Sequence, residues 1–424
     1  MVKRGLIISI EYSDRFCQAC YYSERHGGPE SILMGADAVR YQMPSVLCYD
    51  PETDEWTVGN DAVQMSSKPG TMFFNEFMRN VRIGTCAFVN GKEYSYKKLM
   101  AIFFEKMLQF IQIRTSMMVI KSITVAMRIT DYTTKVNLEE IFSMLNIPPS
   151  QIRLMNLSES FGHYALSESN ESWQNGALLF DFCEEGFWVR QLSVIDRAQR
   201  PLVCVQEYDL SSDFSIGRLS SDSLSESMDR NLADIYRNLT SSGECANVYF
   251  TGEGFEDPWF ETTLSVISSS VKAFRGNNIY VKGACYAGYM HTEAQEEYYT
   301  LICPGMTKSD ISVQARENGK IEDIILSPAA LNWYDAGYSG DFILENETDL
   351  TFKMTSILDQ SCQSVNIDLS AFPKRPTKAT RVQVDIEYNN ESKCTITVTD
   401  KGFGDFYRDG GTAAFKTVNL EGKF

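Results

Sequence analysis

The chain contains one CxxC motif, Cys17-Gln18-Ala19-Cys20. Such a pair ligates zinc or cycles between dithiol and disulfide when both sulfurs face the same way. Here it falls in a stretch, residues 15–22, that reads as a β-strand, where side chains three apart point to opposite faces. His26, His163 and His291 are the only histidines, and the eleven cysteines form no compact framework. That pattern fits a reducing compartment rather than a disulfide scaffold, and zinc or redox chemistry is not expected. The chain has no nucleophile elbow, no Walker loop and no HExxH helix. The serine-rich run Ser211–Ser227 has the composition of a phosphorylation target but reads more simply as a loop entering a helix. His163, between Gly162 and Tyr164, reads as structural.

The elements that would position a site follow a repeated order. Gly5–Ile10 is a β-branched run, hence a buried strand, and Cys17–Tyr22 is its hairpin partner across Glu11-Tyr12-Ser13-Asp14-Arg15. Ser95 caps a helix to about Gln112 whose apolar positions Leu99, Ile102, Phe103, Met107 and Phe110 keep helical spacing. A strand at Ser122–Met127 and a helix carrying Leu138, Ile141, Phe142 and Leu145 follow. The order then restarts: strand Ala177–Phe180, hairpin partner Phe187–Val194, a helix opened by a Ser223/Glu226 capping box, strand Val248–Phe250 and a helix from Trp259 to about Lys272. Two such passes in series predict an internally duplicated α/β fold. From about His291, short alternating segments separated by turn residues predict an antiparallel β-sandwich. The domains read as 1–170, 171–292 and 293–424.

At 424 residues the chain is too long for one core. Its net charge of −17 disfavours a nucleic-acid partner, which needs a basic stripe. The first residues, MVKRGLIISIEYSDRF, carry a short apolar run broken by Glu11 and Asp14. No stretch of eighteen apolar residues occurs, so neither a signal peptide nor a membrane anchor is expected, and the chain reads as cytoplasmic.

Several strings resemble the nucleotide-binding fold of actin and the heat shock protein 70 chaperones. Pro44–Val63 is similar to that family's Pro-Ser segment leading into a VGxxA stretch, here Val58-Gly59-Asn60-Asp61-Ala62. Gly70–Gly84 resembles the segment after it, and Ala177–Val194 the second phosphate-loop hairpin. Val248–Phe255 resembles the adenosine motif and Tyr280–Tyr289 the helix that follows. Ser364–Gly404 is similar to the chaperones' peptide-binding sandwich. The resemblance implies a trimmed actin-like (ribonuclease H-like, duplicated) ATPase fold followed by a β-sandwich.

It also implies where a nucleotide would sit, and how this chain departs. Glu11 stands at the family's metal-facing Asp, Ser13 at a Gly, and Asp14 and Arg15 at two Thr. Asp181 matches the second acidic position, while Cys183, Glu184 and Glu185 replace three Gly. Gly252 is kept at the adenosine motif, Glu253 takes the next position, and Gly254 follows. Val63 stands at the catalytic Lys, and the stretch before the adenosine motif is short. The resemblance therefore makes Glu11, Ser13, Asp14, Asp181, Glu184, Gly252 and Gly254 the cleft positions for ATP or ADP, with Glu11 and Asp181 as the Mg²⁺ ligands. A carboxylate roughly 4 Å from a phosphate charge is repelled by about 4 kcal/mol at an effective dielectric near 20. Three new carboxylates would offset micromolar binding, worth about 8 kcal/mol. Val63 cannot stabilise charge on a transferred phosphoryl group.

The reading is a non-hydrolysing, heat shock protein 70-like module that holds a protein or peptide segment. Trp333, Tyr334, Phe403, Phe406 and Tyr407 are its candidate apolar contacts. An active Mg-dependent ATPase and an actin-like assembly component are the alternatives.

Overall fold

The computed structural model describes residues 5–34, 41–117, 119–197, 200–241, 243, 245–269, 271–317, 319–345 and 348–420. The chain divides into two compact units, Met1–Leu301 and Ile302–Phe424. Both expected lobes lie inside the first unit, and the second begins beyond the 292/293 boundary suggested by the sequence.

The first unit holds two sheets of the same design. In the first lobe, β1 (Leu6–Tyr12) and β2 (Phe16–Ser23) form the hairpin, β3 (Gly28–Ile32) extends it, and β4 (Ile120–Met127) and β5 (Ile152–Asn156) complete the order β5-β4-β1-β2-β3. The second lobe repeats this with β6 (Ala177–Cys183), β7 (Gly186–Ile195), β8 (Leu202–Asp209), β9 (Asn247–Thr251) and β10 (Lys272–Arg275), ordered β10-β9-β6-β7-β8. β11 (Thr300–Ile302) adds a sixth strand beside β8. In each lobe the first strand is antiparallel to its hairpin partner and parallel to the fourth. Every residue of β1 and β6 is buried, as a central strand covered on both faces requires.

The helices form where caps and periodicity coincide. The Ser95 side chain accepts the Lys98 N–H and opens α1 (Tyr96–Thr115), while Asp131 accepts from Thr134 and opens α2 (Tyr132–Ser143). Asn156 caps α3 (Leu157–Ser167). The helix α4 (Asp222–Thr240) differs from expectation: Ser221 is the N-cap and makes no side-chain cap bond, so the Ser223/Glu226 box does not form. The next helix, α5 (Glu261–Ser268), stops short of Lys272, which opens β10 instead. The last, α6 (Ile279–Thr292), packs on α3 and β1. A Cβ at Gly283 would lie 1.8 Å from the Ser160 carbonyl oxygen, so only glycine lets α6 approach the α3 backbone this closely. The Ser9 hydroxyl donates to the Val281 carbonyl at 2.6 Å and ties β1 to the same helix. Cys17 and Cys20 are both buried on opposite faces of β2, one against Met107 of α1 and the other beside Cys285 of α6.

The second unit is a pair of four-stranded antiparallel sheets. One runs in the order Lys320–Ser327, Ser309–Glu317, Asp349–Ser356, Cys362–Asp368. The other runs Tyr338–Leu344, Thr380–Asn390, Lys393–Asp400, Ala413–Asn419. Strict alternation buries Val382, Val384 and Ile386 from one sheet against Ile311, Phe352 and Ile367 from the other in a single core. Arg375 grips buried Asp400 through two hydrogen bonds of 2.5 and 2.6 Å, and the same carboxylate accepts the Gly402 and Gly410 N–H groups, fixing the loop after that strand.

Candidate functional site

The two hairpins bring their tips together over the cleft between the lobes, but the tips are built differently. At the first, the Ser13 hydroxyl accepts the Arg15 and Phe16 N–H groups and donates to the Phe16 carbonyl, closing the turn on itself. Asp14 turns towards a short helix, Phe77–Ile83, whose preceding residue Glu76 is left-handed and offers no side-chain cap. The Asp14 carboxylate accepts the Met78 and Arg79 N–H groups at 2.8 and 2.9 Å and takes the Tyr12 hydroxyl as well. It works as a cap delivered from another element. Of the three carboxylates expected to repel phosphate, this one is engaged elsewhere.

At the second tip, Glu184 and Glu185 face Arg15. The guanidinium lies 2.6 Å from Glu184, 3.7 Å from Glu185 and 2.7 Å from Glu253, which also accepts the Glu184 N–H at 2.9 Å. The loop carrying Glu253 is fixed by its glycines. A Cβ at Gly252 would meet the Phe182 carbonyl oxygen at 2.2 Å, and one at Gly254 the Phe182 ring at 2.3 Å. Packing against β6 alone accounts for both glycines.

Behind the tips lies a cavity of about 90 Å³ lined by Glu11, Ser13, Arg128, Asp181, Gly252 and Glu253 among others; Asp14, Glu184 and Gly254 do not line it. Glu11 is 8% exposed and accepts from the Gln18 amide at 2.7 Å. Burial pushes its carboxyl up to about 7; nearby Asp181 pushes the same way, while the Gln18 hydrogen bond pulls down. Asp181, at the matching place in the second lobe, is met by cations. Its Oδ2 accepts from Arg190 at 3.0 Å, Arg128 at 3.3 Å and the Tyr280 hydroxyl at 2.8 Å. Arg190 is 1% exposed and also donates to Ser158 at 3.0 Å and pairs with Glu207 at 2.7 Å. Arg128 reaches across from the end of β4 and lies over the Trp188 ring, 3.6 Å from its centroid.

The sequence reading did not single out Arg128, Arg190, Gln18 or Tyr280. For Arg190 a signal existed. A two-residue turn at Glu184-Glu185 sets Asp181 opposite Trp188 and puts Arg190 diagonally across the hairpin on the same face as Asp181. Val63 is 45% exposed on a separate helix, Gly59–Met65, and does not line the cavity. His163 sits buried in α3, and burial, with Arg153 nearby, holds its imidazole down at about 3.

Mg²⁺ takes carboxylate oxygens in near-octahedral geometry, whereas two guanidiniums and a phenol already occupy one Asp181 oxygen. Among the described residues no group of three or more His, Cys, Asp or Glu side chains is arranged to hold a metal ion.

In the second unit, Tyr334 is buried and Trp333 half-buried, while Phe403 and Phe406 are exposed. Phe403 lines a groove of about 630 Å³ with Val313, Ala315, Phe342 and Leu344. No helix among the described residues is long and apolar enough to cross a membrane.

Residues 28–304 match the C-terminal region of a family of unknown function, DUF5716, and the chain belongs to that family. Residues 306–420 match a domain of unknown function, DUF8552, so the two matches meet close to the boundary between the units. Among curated proteins none matches the chain.

Proposed function

We propose that the chain is a divergent relative of the heat shock protein 70 chaperones. Its first unit would be a trimmed actin-like module that has lost Mg-ATP chemistry. The protein would act, without hydrolysis, as a binding or scaffold module for a protein segment. Asp181 carries this reading: one oxygen of the acid that would face magnesium is instead taken by Arg190, Arg128 and Tyr280. The size of the inner cavity supports it, since about 90 Å³ falls well below the roughly 300–1,000 Å³ of ligand pockets. The repeated strand order of the two lobes supports the actin-like assignment.

The protein-segment half of the proposal draws on the second unit. Its groove opens between Lys320–Ser327 and Tyr338–Leu344, each at the end of its own sheet, with Ile321 and Ile343 exposed along the walls. An extended segment can add main-chain hydrogen bonds to such an edge while burying an apolar side chain in the groove. The test is calorimetry of ATP and ADP with and without Mg²⁺. No heat and no thermal shift at about millimolar nucleotide is the expected result; Mg-dependent binding near micromolar Kd would overturn the reading.

A further inference from the structure

We propose that Arg15 is an electrostatic latch that holds the cleft between the two lobes shut, and that its release joins the inner cavity to a larger outer one. The outer cavity, about 790 Å³, is lined by Arg15, Gln18, Tyr41 and Asn60. It shares the walls Phe16, Gln42, Glu256 and Asn277 with the inner cavity. Arg15 lines the outer space, and two of its carboxylate partners, Glu185 and Glu253, line the inner one, so the ion pairs stand at the boundary between them.

The mount of the latch is rigid. Ser13 closes the turn beneath Arg15, and Asp14 fastens the tip to the helix Phe77–Ile83. The receiving side belongs to the other lobe: Glu184 and Glu185 on the second hairpin, and Glu253 on the loop after β9. One guanidinium thus bridges three carboxylates, and within the receiving side Glu253 is tied to the second hairpin by the Glu184 N–H. A single exposed ion pair contributes little, but several carboxylates converging on one cation form a network whose loss leaves like charges facing each other. Arg15 is 43% exposed, so the network is open to screening by salt. The latch is independent of the nucleotide reading, because it concerns only contacts within the first unit and is read without nucleotide.

Cys183 reports the inner cavity. It is buried, lines that cavity, and its sulfur receives a hydrogen bond from Arg128 at 3.5 Å. Cys285, on the buried face of α6 beside Cys20, reports global unfolding instead. The experiment is N-ethylmaleimide labelling of the full chain, with rates for each cysteine resolved by peptide mass spectrometry. In the unaltered chain, raising NaCl from about 0.05 to about 0.5 M is expected to speed Cys183 labelling severalfold while Cys285 stays protected. Arg15→Ala is expected to label Cys183 about tenfold faster at low salt and to abolish the salt response, with Arg15→Lys in between. Equal Cys183 rates in Arg15→Ala and the unaltered chain would sink the latch. Should Arg15→Ala expose Cys285 as fast as Cys183, the salt series on the unaltered chain decides, and a flat Cys183 rate there overturns the proposal.

Discussion

Glu11 and Asp181 occupy corresponding places near the ends of the first strands of two similarly ordered sheets, yet their hydrogen-bond partners differ in kind. Glu11 is paired across its hairpin with Gln18, a neutral amide, and burial lifts its carboxyl to about 7. Asp181 is paired with Trp188, whose ring carries Arg128, and lies diagonally from Arg190. Duplication of a topology therefore fixes where an acid stands but not what it can do. The side chain opposite, and the one two residues further along, decide whether it is left to protonate or held by cations.

The comparison breaks most severely at Arg190. Arg190→Met removes a fully buried guanidinium and leaves Asp181 and Glu207 without their shared partner. The expected loss is about 3 kcal/mol, the low end of the usual cost of stranding a buried charge because Arg128 and Tyr280 still meet Asp181, measured by urea unfolding. Adding Asp181→Asn to Arg190→Met should recover part of that loss, because one of the stranded acids is gone.

Glu11→Gln sharpens the same comparison in the other direction. The folded-state pKa of Glu11 lies above its ordinary value, so the folded chain holds the proton between about 4.5 and about 7. This contribution to stability is complete below about 4.5 and is lost as pH rises through about 7. Glu11→Gln should be neutral at low pH and stabilise by roughly 2–3 kcal/mol near pH 8, with the slope across that window removed. His163 runs oppositely: its imidazole, held at about 3, contributes stability that is complete above 6.5 and lost as pH falls towards 3. Unfolding titrations across pH on the unaltered chain and Glu11→Gln separate these contributions.

Much of this was legible in the sequence. The hairpin of β1 and β2, the Ser95-capped helix and the alternation of Thr380–Asn390 follow from burial periodicity and capping, which are local. β3, with the sequence Gly-Pro-Glu-Ser-Ile, has no such pattern and exists because β2 offers it an edge. The same holds for β10, where Lys272 continues from a helix whose apolar spacing gave no reason to stop. At the site, the acids could be found at the hairpin ends, but their partners could not. Arg128 and Tyr280 arrive from elements distant in sequence, and only the packing of the second lobe against the first brings them to Asp181. Asp14 and Gly254 show the converse. Both match nucleotide positions in the resemblance, yet one caps a helix and the other makes room for Phe182.

The two hairpin tips differ in the same way, and single substitutions can measure it. Asp14→Ala removes the cap from Met78 and Arg79 and should cost about 1 kcal/mol in thermal or urea unfolding.

Glu184→Ala is the smallest expected effect. Glu184 is 66% exposed, its side chain pairs with Arg15, and Glu185 and Glu253 remain to hold that guanidinium. Stability should change by no more than about 0.5 kcal/mol, as for other exposed ion pairs. The backbone bond from Glu184 to Glu253 survives the substitution, because it uses the amide and not the side chain. A loss as large as that of Asp14→Ala would mean that the second tip is as firmly built into the fold as the first. The contrast between a self-fastened tip and a borrowed one would then fail.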